Sequence, residues 1–313
     1  MNLGIEYLDY YVPENRVSIE EFIDNIPEEV VLKYYLSKEK CLRYCKKDLM
    51  LKSIPVENKL KDFQTLEILL NKMFDSKVIE RDEIDVIILA QEHYNYSLEN
   101  IGQYIQNKYE MNNAFVFNIS GNHCNDVELA IRVSKGLMAE SDEIKNILII
   151  SSSQIKDMAD RLVGKICVLG DGAGIVLLKR DGEQFRILDT KNSTNGYFYD
   201  FKVGQDNYLH HYRYGVNLIS KILERNNLNS EQIKKVIIQN INPELRINYF
   251  TRFGISREKV FIDNIGKNGH ITCIDFIANL KELKDSNILN KNDILLCLGL
   301  GLAGSYQATV LSY

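Results

Sequence analysis

Apolar positions along this chain fall into two alternating patterns. Short runs rich in β-branched residues predict strands at Asp85–Ala90, Ala114–Asn118, Asn146–Ser151, Ile166–Leu169 and Gly174–Leu178. A second set lies at Phe185–Leu188, Val236–Gln239, Val260–Asp263, Ile294–Leu298 and Tyr306–Leu311. Runs such as VIILA and ILII carry no polar alternation, so they predict strands buried on both faces. Between them, apolar residues recur at helical spacing in Phe63–Phe74, Leu98–Lys108, Cys124–Met138, Tyr214–Asn226, Glu244–Phe253 and Ile274–Leu283. Strands alternating with helices in this way predict a layered α/β protein.

The order of these elements repeats. ERDEIDVIILA has its counterpart in NSEQIKKVIIQN, and AFVFNISGNHCNDVELA in VFIDNIGKNGHITCIDFIA. CVLGDGAGIVLL likewise corresponds to LCLGLGLAGSYQATVL. Three matching stations in one order predict a duplicated domain. We expect a half at 1–180 and a half at 181–313, with the seam in the DGEQF stretch and a site between the two.

Composition narrows the function classes. The 313 residues are 45% apolar and 26% charged, with a formal net charge of −5. That is an ordinary globular mix, and it lacks the basic excess of a nucleic-acid partner. No apolar run reaches the roughly 18 residues of a membrane span, and the first residues do not read as a signal peptide. Cys41, Cys45, Cys124, Cys167, Cys273 and Cys297 follow no framework or zinc spacing. Cys167, Cys273 and Cys297 sit in apolar surroundings, so those three are expected to be reduced thiols in a cytoplasmic protein, and no metal is expected.

Cys124 has the most suggestive position. It follows a strand and a turn, ISGNH, and opens an apolar helix carrying Val127, Ala130, Ile131, Val133, Leu137 and Met138. Unpaired N–H groups and the positive end of a helix stabilise a thiolate, which attacks acyl thioesters where a thiol hardly does. A small buried core thiol is the competing reading of the same residue. Two glycine-rich turns stand out, Gly170–Gly174 and Gly299–Gly304. The first reads as a tight hairpin; the second could also offer N–H groups to an oxyanion. Neither fits a phosphate-binding or dinucleotide loop.

These segments resemble the thiolase superfamily, in its ketoacyl-acyl-carrier-protein synthase III branch. VLGDGAGIVLL is close to that family's FGDGAGAVVL turn. FNISGNHCNDVELAIRVSKGLM is similar to its nucleophile elbow, and LLCLGLGLAGSYQATVL to its final hairpin. YYVPENRVSIEEF, NNLNSEQIKKVIIQNIN and IDNIGKNGHITCIDFIANL resemble further stations. The resemblance implies two pseudo-symmetric halves in a five-layered αβαβα core. It also implies a homodimer, and acyl-CoA or a phosphopantetheinyl acyl carrier protein as substrate, with no permanently bound cofactor.

The family's catalytic Cys, His and Asn fall on Cys124, Gln239 and His270. The nucleophile is kept and both partners are changed. A neutral amide cannot act as a base, so His270 becomes the titratable partner of Cys124, with Gln239 as polar support. That set suits transfer of an acyl group from Cys124 to an oxygen, nitrogen or sulfur nucleophile better than decarboxylative condensation. Two alternatives stay open: a condensing enzyme that tolerates the altered pair, and a half-active partner subunit of a heteromeric enzyme. The oxyanion would rest on backbone N–H groups of Cys124, Gly301 and Leu302. His123, Asn240, Asn242 and Tyr94 are candidate substrate contacts, while Cys273 reads as a core residue and His211 as a surface or packing residue.

Overall fold

The computed structural model describes residues 2–91, 100–200 and 208–313, and side chains in the last segment from residue 211 on. The N-terminal half opens with β1 (Leu3–Tyr11), β2 (Arg16–Ser18), three short helices α1 (Ile19–Asn25), α2 (Glu28–Leu32) and α3 (Lys38–Lys47), and β3 (Ser53–Pro55). It continues through α4 (Asp62–Asp75), β4 (Val86–Ala90), α5 (Ile101–Lys108), β5 (Phe115–Ile119) and α6 (Asp126–Glu140). Strands β6 (Asn146–Ser153), β7 (Leu162–Val163), β8 (Cys167–Val168) and β9 (Gly172–Arg180) complete it. The C-terminal half runs β10 (Arg186–Thr194), α7 (Tyr208–Arg225), β11 (Ile233–Ile238), α8 (Pro243–Thr251) and β12 (Val260–Phe261). It closes with α9 (Ile265–Asn268), α10 (Ile274–Asp285), β13 (Ile294–Gly301) and β14 (Ser305–Ser312).

Ten strands lie in the order β12-β11-β13-β14-β10-β1-β9-β6-β4-β5. Each half contributes five strands with the same pattern. In the first, β4 is parallel to β5 and β6, and β9 runs antiparallel to β6 and β1. In the second, β11 is parallel to β12 and β13, and β14 runs antiparallel to β13 and β10. The two sets meet through one residue pair, Gly4 opposite Arg186. A Cβ on Gly4 would lie 2.5 Å from the Gly182 carbonyl, so only glycine lets the chains close there.

The unbroken apolar runs now have their reason. Ile88, Ile149, Val176, Leu295 and Leu311 face a central core with Val127, Ile131 and Met138 of α6 and Phe276, Ile277 and Leu280 of α10. Their neighbours Ile87, Leu89, Leu148, Ile150 and Leu177 point the other way, onto Leu66, Leu69 and Leu70 of α4 and Ile105 of α5. In the second half Val236, Ile238, Leu296 and Val310 pack on Leu218, Ile219 and Ile222 of α7 and Phe250 of α8. Helix pair, sheet, helix pair, sheet and helix pair make the five expected layers, with α6 and α10 in the middle. No helix among the described residues is long and apolar enough to cross a membrane.

Two elements differ from the sequence reading. Ile166–Leu169 does not enter the large sheet; only Cys167 and Val168 pair, with Val163 and Leu162. Leu169 instead bridges to His270 and gives its N–H to the Arg161 carbonyl at 2.8 Å. The first strand, β1, escapes an apolar-run search because Glu6, Asp9 and Tyr10 interrupt it. Helices α1 to α3 form a separate small core with Val168 and Ile265, where Cys41 and Cys45 are fully buried.

Candidate active site

The nucleophile turn is tighter than a plain helix start. Helix α6 begins at Asp126, two residues after Cys124, which sits in a 3-10 turn spanning His123–Asn125. His123 holds φ at +54°, a left-handed conformation that costs energy for a side chain with a Cβ. Asp126 accepts the Asn122 N–H at 3.0 Å and fastens the turn from the helix side. Cys124 is 6% exposed.

His270 reaches the sulfur from the other half. Its Nε2 lies 2.9 Å from Cys124 Sγ. The histidine lies between α9 and α10, and its backbone is clamped by the first glycine-rich turn. The His270 N–H donates to the Val168 carbonyl at 3.0 Å, and the Gly170 N–H donates to the His270 carbonyl at 3.0 Å. A Cβ on Gly170 would meet the Asn268 carbonyl at 2.6 Å, and one on Gly269 would meet the Val168 carbonyl at 2.7 Å. The turn that reads as a simple hairpin in the sequence therefore brings the two segments into contact. Asp171 braces it: buried Arg161 donates to both of its oxygens at 2.8 Å, and the N–H groups of Ile155 and Glu57 add bonds at 2.9 and 2.8 Å.

A third residue completes the arrangement, and sequence reasoning missed it. Asp275, in the first turn of α10 and fully buried, faces His270 Nδ1 through Oδ2. The same carboxylate accepts from the Asn240 N–H at 2.6 Å and the Ile271 N–H at 2.9 Å. Three donors suit an anion. With Nδ1–H given to Asp275, Nε2 carries the lone pair that can take the proton of the Cys124 thiol. An acidic residue inside CIDFIANL, a segment otherwise apolar at helical spacing, was the available signal.

The other candidates distribute as follows. Gln239 is buried beside the elbow, and its amide is held by backbone and by Asn125: Nε2 donates to the Cys124 carbonyl and to Asn125 Oδ1, each at 3.2 Å, and Oε1 accepts from the Leu300 N–H at 3.0 Å. It ties the elbow to the end of β13. Asn240 supplies its N–H to Asp275, while its side chain accepts from Asn279 at 2.9 Å. Asn242 caps α8 and donates to the Tyr44 hydroxyl at 2.9 Å. Gly301 lies against the elbow; a Cβ there would be 2.3 Å from the Asn122 carbonyl. Leu302 follows it in the turn between β13 and β14. Cys273 donates to the His123 carbonyl at 3.1 Å. His211 packs on Phe198 and bonds the Tyr306 hydroxyl at 2.9 Å. Tyr94 lies outside the described residues.

A buried acid below the elbow is also new. Glu128, on α6, is 3% exposed. Desolvation, with the charges of Asp275 and Asp126 adding to it, pushes its carboxyl up to about 8.

Comparison with known proteins agrees with this fold. Residues 117–196 match the family described as 3-oxoacyl-[acyl-carrier-protein] synthase III, and residues 223–313 match its C-terminal part. A beta-ketoacyl-[acyl-carrier-protein] synthase III of Clostridium perfringens is 25% identical over 321 residues, covering 93% of each chain. One from Aquifex aeolicus is 24% identical over 243 residues, covering 74% of this chain and 78% of the relative. The Aquifex aeolicus synthase III crystal structure superposes with a TM-score of 0.80 at 19% identity, over 99% of this chain and 100% of that one. A structure titled ChlB3, an acyltransferase, gives 0.80 at 14% identity, over 100% of this chain and 98% of that one. OleA of Xanthomonas campestris gives 0.81 at 13% identity, over 100% and 99%. With the two family matches together spanning more than half of its length, this chain belongs to the 3-oxoacyl-[acyl-carrier-protein] synthase III family of the thiolase superfamily.

Proposed function

We propose that this family member is an acyltransferase that does not decarboxylate its acceptor. Cys124 takes the acyl group from acyl-CoA or an acyl carrier protein, releasing the carrier thiol. His270, oriented by Asp275, accepts the Cys124 proton in that step and delivers it to the leaving thiolate. In the second step it deprotonates an oxygen, nitrogen or sulfur acceptor, which attacks the thioester carbon and frees Cys124. The oxyanion of each tetrahedral intermediate would rest on backbone N–H groups of Cys124 and the Gly301–Leu302 turn. The observation that carries this reading is the 2.9 Å contact between Cys124 Sγ and His270 Nε2, with a carboxylate on the far ring nitrogen. Such a relay moves protons between a thiol and an acceptor. Stabilising an enolate needs neutral donors aimed at the thioester oxygen, and the Gln239 amide already donates to the Cys124 carbonyl and Asn125 Oδ1.

The curated relatives quoted above are named as synthases, which favours carbon–carbon condensation as a second reading. Both readings need a loaded cysteine, so loading is tested first. Intact-mass analysis after exposure to a panel of acyl-CoA and acyl-carrier thioesters should show one acyl increment on wild type and none on Cys124→Ala. An increment that persists in Cys124→Ala refutes the nucleophile. Assembly as a homodimer along the edge strand β5 is part of the proposal, supported by Phe115, which is 65% exposed there. A monomer in sedimentation at micromolar concentration would refute that part.

A further inference from the structure

Of the buried acids around the relay, Asp275 and Glu128 have different surroundings. Asp275 accepts three hydrogen bonds, from Asn240, Ile271 and His270. Glu128 has no comparable set: among the described residues its Oε2 meets no hydrogen-bond partner. Its carboxyl folds over the bare backbone of β13, where a Cβ on Gly299 would lie 2.6 Å from Glu128 Oε1 and 2.3 Å from Asn125 Oδ1. Asn125 in turn holds Gln239 and the Ser305 backbone, so Glu128 is packed into the brace of the nucleophile elbow.

We propose that Glu128 is held as an un-ionised carboxylic acid and acts as a positioning residue, so that it adds no further negative charge behind the Cys124–His270 pair. The groups that face it are Asp126 on its own helix, Asp275 on α10 with His270 beyond it, and Cys297 on β13, whose thiol burial and Glu128 both push up. The backbone carbonyl of Glu128 meets neutral Gln307 of β14. None of these is a fixed cation. Two carboxyls in one dry region with unequal donor sets divide the roles: the one with three donors carries the charge, and the other keeps its proton. Burial holds that proton until about pH 8, so both roles coexist at neutral pH. When Glu128 releases its proton to solvent, the new charge opposes thiolate formation at Cys124 and binds the proton on His270 more tightly. The first lowers the share of free thiolate; the second makes His270 slower to return its proton to the leaving thiolate.

The proposal rests on the acyl-transfer reading for its purpose, but its test does not. Infrared difference spectra, wild type minus Glu128→Gln at neutral pH, should show the carbonyl stretch of an un-ionised carboxylic acid, vanishing at about pH 9.5. Alkylation of Cys124 by iodoacetamide, followed by peptide mass mapping, should be about tenfold slower in wild type than in Glu128→Gln above pH 8, and equal near pH 6.5. Absence of the band, or alkylation profiles that superimpose across that range, overturns the proposal. Glu128→Gln is nearly isosteric; should it fail to fold, the wild-type band and its loss on alkalinisation still decide the charge state. Failure of every thioester to load Cys124 would instead count against the acyl-transfer reading and leave both of these measurements standing.

Discussion

Replacing Asp275 by Asn isolates what the third member of the relay does. The carboxylate accepts from the Asn240 N–H at 2.6 Å, the Ile271 N–H at 2.9 Å and His270 Nδ1. An amide of the same shape offers one oxygen and one NH2 group. Its NH2 must take the place either of Oδ1, which serves the Ile271 N–H, or of Oδ2, which serves the Asn240 N–H and the imidazole together. In either case a fully buried backbone donor loses its acceptor, costing about 1–3 kcal/mol of stability. In the second, the amide donates to Nδ1 and moves the ring proton to Nε2, which then cannot take the Cys124 proton. The same substitution in serine proteases costs roughly 10⁴ in rate. A thiol ionises more readily than a hydroxyl, so acylation of Cys124 should fall by about 10²–10³. Quenched-flow intact-mass kinetics with a reactive acyl-CoA, run from about pH 6 to 9, reads this directly. Circular dichroism establishes that the variant is folded. A folded Asp275→Asn protein that acylates within about threefold of wild type, with the same pH profile, would refute the orienting role.

Other consequences follow from the scaffold. Gly170→Ala pushes a Cβ to 2.6 Å from the Asn268 carbonyl and should displace His270, cutting acylation while costing about 1–3 kcal/mol in urea unfolding. Arg161→Met strands Asp171 as an unpaired buried charge, with Arg161 and Asp171 each 1% exposed, and should cost about 3–5 kcal/mol in the same assay. Glu128→Gln should change the pH dependence of stability. Below about 4.5 the acid is protonated in both the folded and unfolded chain; from there to about 8 only the folded chain keeps the proton, so wild type loses stability as pH rises. Thermal unfolding across that window should show a slope near 1.4 kcal/mol per pH unit in wild type that the variant lacks, and equal slopes would count against a buried neutral acid.

The pairing of Cys124 with His270, 146 residues apart, was legible through the family resemblance, which sets His270 at the position of a catalytic partner. The buried strands were legible for another reason: Ile87 and Ile88 face different layers, which leaves no polar alternation to mislead. What escaped depends on contacts that only folding creates. Asp275 looks like a polar residue on a helix face until the Asn240 N–H and His270 converge on it. Gly170 looks like hairpin chemistry until the 268–270 segment is laid against it. Gln239 occupies the station of a catalytic residue, yet its amide is consumed by the backbone of Cys124 and Leu300, which no spacing rule reveals. Cys124 itself lies ahead of α6 and not inside it, since the positive φ of His123 winds one extra tight turn before the helix begins.

The fate of the malonyl group is the most direct test of the chemistry. Wild-type protein, preloaded on Cys124, would be incubated with carboxyl-labelled malonyl thioester alongside a panel of hydroxyl, amine and thiol acceptors. Loss of the acyl group from Cys124 to one of those acceptors, with no labelled carbon dioxide released, is the predicted result. Stoichiometric carbon dioxide release together with a β-ketoacyl product would contradict it and make this chain a condensing enzyme.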